Sequence, residues 1–517
     1  MNKHLLIRVL AVSTAASVVF GLASYNLGGL ETTPEATTST SLYTEPTTAA
    51  TSATETEPDK SQVEFKAVKT ISVETTEKKK AYQSKSADEC AIVATGEKKK
   101  INLTTPDIKK TGDSSNDVNS SVFGVNSAVL AMNNSRLYIA GGTITTAAKG
   151  AAGVFGYAGH GNVAGITGDG TRVTLSDAKI TTSGDDSAGI AATYGATFGI
   201  TNLTVETSGK SSPAIRLGKD GGNVTITQGT YTTNGIASPV VYGTGKVTIK
   251  SSKLIANASE GIVVDDNSTV SLADTSLTAN NTTRNENSGF RYGILLYQQE
   301  AGYFDNNTMA VFTMTNGTLT NKAGHVFHIT NTKGVVNLSN VNLVNEDKEG
   351  ILLSVSPDGW SGNNNVAILN ATNTMLNGNI LVAKEGKLTL NLSTGTVFVG
   401  SIKGDFKDAD GKSVSKEPGI IHVNLGEGAK WTLTEDTYIT SFSGNMDNVN
   451  LNGHTLNVSG ETTKPTAAPT SKPVTPKKPT KKPTKKPTKK PTKKPTKKPT
   501  KKPAETTDPN AQNNQNP

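Results

Sequence analysis

The chain repeats a spacing of apolar positions more faithfully than it repeats letters. An apolar residue is followed seven positions later by another, with Thr, Ser, Asn or Asp between them. The pairs are Ile101/Ile108, Leu137/Ile144, Val173/Ile180, Phe198/Val205, Val224/Tyr231, Val247/Leu254, Val270/Leu277, Phe312/Leu319 and Val336/Leu343, with Val449/Leu456 fitting late in the chain. From Val173 to Val270 the first members fall 25, 26, 23 and 23 residues apart. A fixed period in this range marks a stacked solenoid, and one too short for two helices, rich in β-branched residues, predicts strands. A third apolar piece precedes each pair, as in "AGIAAT", "PAIRLG", "PVVYGT", "EGIVVD", "YGILLY", "HVFHIT" and "EGILLS". The pattern therefore predicts an all-β fold, a right-handed parallel β-helix with three short strands per coil. About twelve coils between Ile92 and Val458 would stack to a height on the order of 55 to 60 Å. One coil alone cannot bury its inward residues, whereas a stack builds one core and pairs each backbone with the coils above and below. Leu388 to Trp431 does not follow the spacing, and no coil is assigned there.

Alternation within the first strand sorts its residues. Ile190, Ile215, Val240, Ile262, Ile294, Phe327 and Ile351 are predicted to point inward, and Ala191, Arg216, Val241, Val263, Leu295, His328 and Leu352 outward. A mostly apolar outward column is a poor bed for an anionic polymer and a good surface for loops or a partner to cover. The second strand presents Thr174, Gly199, Thr225, Thr248, Ser271, Thr313 and Asn337 outward, as an exposed strand would.

Composition sets the limits of this repeat. Only 34% of the 517 residues are hydrophobic and 5% aromatic, too few for a globular core of Leu and Phe. Residues 1–23 have basic residues, an apolar run and the small-residue site Gly21-Leu22-Ala23, which predicts a secretory signal peptide. Residues 24–60 are a Thr/Ser/Pro/Glu-rich linker, 61–90 an N-terminal cap or linker, 91–460 the β-helix, and 461–517 a disordered Lys/Pro/Thr tail. From Glu461 onward sixteen Lys face two Glu and one Asp, so this segment carries +13 and the remainder of a +8 chain carries −5. The basic balance belongs to the tail. Lys and Pro without aromatics suit an extended tether of about 120 Å lying along anionic cell-surface polymers, rather than nucleic acid. No other segment is long and apolar enough to span a membrane, so the mature protein is expected to be secreted or held at the surface. Cys90 is alone, which excludes a disulfide framework and marks a small buried hydrophobe.

The coils "TGDSSNDVNSSVFGVNSAVLAMNNSRLYIAGGTITT" and "DGTRVTLSDAKITTSGDDSAGIAATYGATF" resemble those of adhesin-like, pectate-lyase-superfamily β-helix proteins secreted by gut and other anaerobic bacteria. The resemblance covers Ile92 to Gly460 and implies the fold. That superfamily holds lyases, glycosidases and adhesive proteins, so function must be argued from a site.

Three insertions interrupt the repeat at one corner, between the first and second strands: "GYAGHGNVAGITGDGT", "QQEAGYFDNNTM" and "SPDGWSGNNN". Insertions at one corner emerge on one face, often a binding face. Two of them set aromatics beside polar groups, Tyr303 and Phe304 with Glu300 and Asp305, and Trp360 with Asp358. Aromatic faces with carboxylates suit sugar rings, which makes these six residues the candidate ligand-binding set. The alternative is that the aromatics fold back over the coils as lids. Catalytic readings have thinner support. "GHG" at His160 and the pair Asp185-Asp186 are similar to two polygalacturonase-type motifs but stand in reversed order. A lyase would draw on Asp220, Asp265, Asp266, Arg216 and Lys219, with Ca²⁺ as the only cofactor either reading would need. No other cofactor or metal is implied. The leading expectation is an adhesin-like module binding extracellular or cell-wall polysaccharide. The alternatives are a polysaccharide lyase or glycosidase, and a structural spacer.

Overall fold

A computed structural model describes residues 63–159, 168–285, 288–299, 309–360 and 364–459, together with the backbone of 461–463. The signal peptide, the linker 24–60 and the Lys/Pro/Thr repeats lie outside the described residues. What is described is a β-solenoid of parallel strands in three faces, with one short α-helix, Asp117–Phe123. The first face is a ladder of thirteen strands, from Lys66–Ile71 through Ile262–Asp265 to Ile402–Lys403. At the ~4.8 Å strand spacing such a ladder rises roughly 58 Å. It starts within the segment read as cap or linker: Lys66–Ile71 pairs in parallel with Glu89–Ala94, so residues 66–84 form the lowest coil.

The second and third faces run on from one another, and in several coils they form one bent strand, such as Gly222–Thr233 or Thr269–Ala279. The bend between them takes a residue in the left-handed region, followed in two coils by a positive-φ glycine, Gly229 or Gly317. Asp177, Asn202, Gln228, Ser251, Asp274, Asn316, Asn340 and Asn373 occupy it in successive coils, with φ from 44° to 64°. Asn and Asp tolerate this conformation better than β-branched residues, and here they also bond vertically. Asn202 Nδ2 donates to Asp177 Oδ1 at 2.8 Å, Asn316 to Asp274 at 2.9 Å, and Asn373 to Asn340 at 2.6 Å. A second vertical ladder stands on the outer side of the second face, where Asn424, Asn391 and Asn370 each donate to the residue below, ending on Asn337.

The seven-residue spacing is the distance between inward positions of the second and third faces. Val224, Val247, Val270, Phe312 and Val336 stack in one register, and Tyr231, Leu254, Leu277, Leu319 and Leu343 in the other. All ten are buried in one continuous core. Val449/Leu456 is a coincidence of spacing, since Val449 continues the third face above Trp431 while Leu456 belongs to another ladder. Leu388 to Trp431 resisted assignment because an antiparallel hairpin, Asp405–Lys407 with Ser413–Lys416, interrupts its coil. Beyond it, Ile420–Leu425 and Lys430–Thr432 resume the second and third faces.

Leu277 is fully buried between Leu254 below and Leu319 above. Leu277→Ala should cost about 2–5 kcal/mol, read as a fall in the urea midpoint with the native circular dichroism retained.

Candidate functional site

Insertions flank both edges of the first face. The helix segment and residues 281–291 come from the corner between the third and first faces. The three predicted insertions and the 405–416 hairpin come from the opposite corner, between the first and second. Between these two edges runs the outward column of the first face, which in register reads Val93, Leu130, Phe155, Ala191, Arg216, Tyr242, Val263, Leu295, His328, Ser354 and Leu381. Two expected assignments are corrected. Val241, not Val240, aligns with the inward Ile215, so Tyr242 is the outward residue of its coil. A register irregularity between Ile351 and Leu353 likewise turns Leu353 inward and Ser354 outward. Val240 and Leu352 are both buried in the core at the strand starts, and runs of apolar residues leave the period-two pattern without a phase.

One lid covers the lower part of the column. Asn116 caps the short helix by accepting from Asn119 N, and Gly124 ends it at φ 71°. Val122, Phe123 and Val125 are thereby packed over Val93, Leu130, Phe155 and Ala191. Cys90 is buried in the same cluster, and burial pushes its thiol up to about 12. Such a thiol is inert packing.

A second lid covers the upper part. Phe290, Trp360 and Phe406, from three different insertions, pack over Val263, Leu295 and Leu381. Arg284 clasps Asp410 of the hairpin through two bonds of 2.7 and 2.9 Å. Beneath this lid runs a proton-ordered chain. Ser354 Oγ lies 2.7 Å from Nδ1 of both His325 and His328, and His328 Nε2 lies 3.0 Å from Asp358 Oδ2. An ionised carboxylate only accepts, so a neutral His328 carries its proton on Nε2 and takes a hydrogen bond from Ser354, which in turn accepts from His325. Asp358 also accepts from Ser288 Oγ and, at 2.7 Å, from Gly289 N. The residue types are those of a nucleophilic triad, but Ser354 and His328 are wholly buried, so the chain ties down a lid.

Between the lids the column changes character. Arg216 and Tyr242 are only half-buried and line a cavity of about 70 Å³ with Asp117 and Ser121 from the helix, Asp186, Tyr297 and Gln299. Arg216 Nη2 makes one long bond, 3.5 Å to Ser121 O. Burial lowers its pKa from the ordinary value, with Asp186 opposing. Burial raises Asp186, against the pull of Arg216 and Lys149. Asp117 is paired with Lys149 at 2.8 Å. Tyr242 Oη sits 3.1 Å from both Asp265 Oδ2 and Tyr297 Oη, and Gln299 N donates to Asp265 Oδ1 at 3.2 Å. Burial first, then Asp266, pushes the Asp265 carboxyl up to about 7.

Of the six expected ligand residues, Glu300, Tyr303, Phe304 and Asp305 lie outside the described residues, as does His160. The expectation of an open aromatic platform is not met at Trp360, which is buried with its ring edge-on to Tyr297 at 4.9 Å. Asp358 is spent on the proton-ordered chain. The residues weighed for lyase chemistry separate: Arg216 lines the cavity, Asp265 is buried and bonded to Tyr242 Oη, Asp220 and Asp266 occupy left-handed turn positions and Lys219 is buried. In the Asp185-Asp186 pair only Asp186 faces the cavity; Asp185 accepts from Lys210 N. Tyr242, Tyr297 and Asp117 were not singled out in the sequence. Among the described residues no group of three His, Cys, Asp or Glu is placed to hold a metal ion. No family model matches the chain, and no curated protein or solved structure does.

Two buried groups make opposite contributions to stability. Burial, then the neighbouring His328, holds His325 down at about 3. An unfolded histidine takes up its proton near 6.5, so this group removes stability as the pH falls from ~6.5 toward 3. Folded Asp265, at about 7, keeps a proton that the unfolded chain releases. Its contribution is full below ~3.9 and is lost as the pH rises toward 7. The two oppose one another over the shared window. Relative to the wild type, His325→Gln should gain stability on acidification from pH 6.5 to 4 and Asp265→Asn should lose it, measured as urea midpoints. Parallel pH curves for all three proteins would refute the assignment.

Proposed function

We propose that this chain is an exported, surface-held binding protein whose solenoid takes a saccharide in the cavity between the two lids. The observation carrying this reading is the change of the outward column from apolar to Arg216 and Tyr242 where the lower lid gives way to the upper, both side chains lining the cavity there. Elsewhere the column is sealed, and here it offers a guanidinium, a carboxylate, an amide and a tyrosine ring around a concave space. Such a set pairs apolar ring contact with oriented hydrogen bonds. The likeness of the coils to adhesin-like proteins of the pectate-lyase superfamily supports a right-handed helix and a binding role. The apolar start of the chain and the Lys/Pro/Thr repeats support export and retention on anionic wall polymers.

Hydrolysis is the second reading. It is favoured by Asp265, a buried carboxyl pushed up to about 7 whose Oδ2 lies 3.1 Å from the Oη of the cavity-lining Tyr242.

Ser121 lies on the helix surface lining the cavity. Ser121→Trp should fill the space and abolish binding on a glycan array, with the melting temperature nearly unchanged. An array profile identical to that of the wild type would overturn the reading. Reducing-sugar release that disappears in Asp265→Asn would replace binding with hydrolysis.

A further inference from the structure

The cavity pairs two groups of opposite and complementary capability. A guanidinium only donates hydrogen bonds and a carboxylate only accepts them. Arg216 and Asp186 line the same space and influence one another's charge, yet no direct ion pair joins them among the described residues. The Asp186 carboxylate has no protein hydrogen bond there, and Arg216 has only its long one to Ser121 O. Both are half-buried, and their unspent bonding capacity lines the cavity instead of being taken up by another side chain.

We infer that the bridging group is a pair of adjacent hydroxyls on a neutral sugar, one accepting from Arg216 and its neighbour donating to Asp186. This rests on the saccharide reading above and names the substrate class of that site. A vicinal diol presents a donor and an acceptor side by side, as the paired Arg216 and Asp186 require, and Tyr242, in register with Arg216, lines the same space.

The charge balance excludes acidic sugars. Arg216 is offset by Asp186, and Asp117 is neutralised by Lys149 at 2.8 Å. No surplus cation is left for a uronate or a sulfate, and the carboxylate of a uronate would enter beside Asp186. Above and below, the column is apolar and covered, so among the described residues no cationic track runs along the face. A cavity of about 70 Å³ is also small beside the several hundred Å³ of a typical ligand cleft. It takes the hydroxyl edge of one ring, such as a chain end.

The test uses the full chain and matched probes: methyl β-glucoside against methyl β-glucuronide, and methyl α-galactoside against methyl α-galacturonide, titrated by calorimetry. A neutral member of one pair should bind at least ~10-fold more tightly than its uronide. Asp186→Asn and Arg216→Gln should each weaken it by ~10-fold or more, and Asp186→Asn should narrow the preference over the uronide. Thermal melts establish that both variants are folded. A uronide that binds as tightly as its neutral partner, with affinity lost only in Arg216→Gln, would overturn the diol assignment and leave the saccharide site standing. Binding of larger glycans on the array with none of these glycosides bound would overturn it too. Silence on both the array and the titrations would remove the site itself.

Discussion

Parallel registration of each coil on the one below is the constraint from which the rest follows. Backbone hydrogen bonds pair Ile190 with Ile215, Ile215 with Val241, and Val241 with Ile262, without slippage. Position along a coil therefore fixes which neighbours a side chain has above and below. Inward residues become stacks of Val, Ile and Leu, and bend residues become stacks of Asp and Asn. Polar residues are thus as structural here as apolar ones. A left-handed bend in every coil selects short amides and carboxylates, and stacking turns them into hydrogen-bonded ladders.

The same registration makes the outward column a continuous stripe, and an apolar stripe in water must be covered. Two lids do this by different chemistry. The lower is mostly hydrocarbon over hydrocarbon, with Phe123 edge-on to Tyr157 at 5.4 Å. The upper holds a buried imidazole pair, a serine and a carboxylate, each with a defined partner. Buried polar chains of this kind demand one arrangement, because any other leaves a donor or an acceptor unmet. The interval between the lids is then where the column's polar side chains, Arg216 and Tyr242, line a cavity.

Much of this was legible in the chain, and the failures have physical causes. The period revealed the solenoid, the inward pairs and the corner from which three insertions leave, because burial imposes a strict spacing on both faces that run together. Arg216 stood out in "PAIRLG", where a single polar residue interrupts an apolar run. Tyr242 did not, since the two valines of "PVVYGT" fit either phase, and Ser354 was displaced by the irregularity at Ile351. Asp186 had the signature of a turn residue and does adopt φ 56°, but burial beside Arg216 gives it a second role that no local pattern encodes. Asp117 reaches the cavity from the helix insertion and Tyr297 from the end of the first-face strand Tyr292–Tyr297, and their meeting is a property of the stack.

The clasp between Arg284 and Asp410 spans 126 residues of chain. Solenoids ordinarily contact only nearest neighbours, and their end coils fray one at a time. Here the hairpin inserted near the carboxyl end reaches back to a loop several coils lower, where Ala409 N also donates to Gly289 O at 3.0 Å. Peeling the last coils away requires releasing that loop, and with it the roof over Val263 and Leu295. The upper half of the stack is bound into one cooperative block, and an open-ended spiral acquires the all-or-none behaviour of a closed domain.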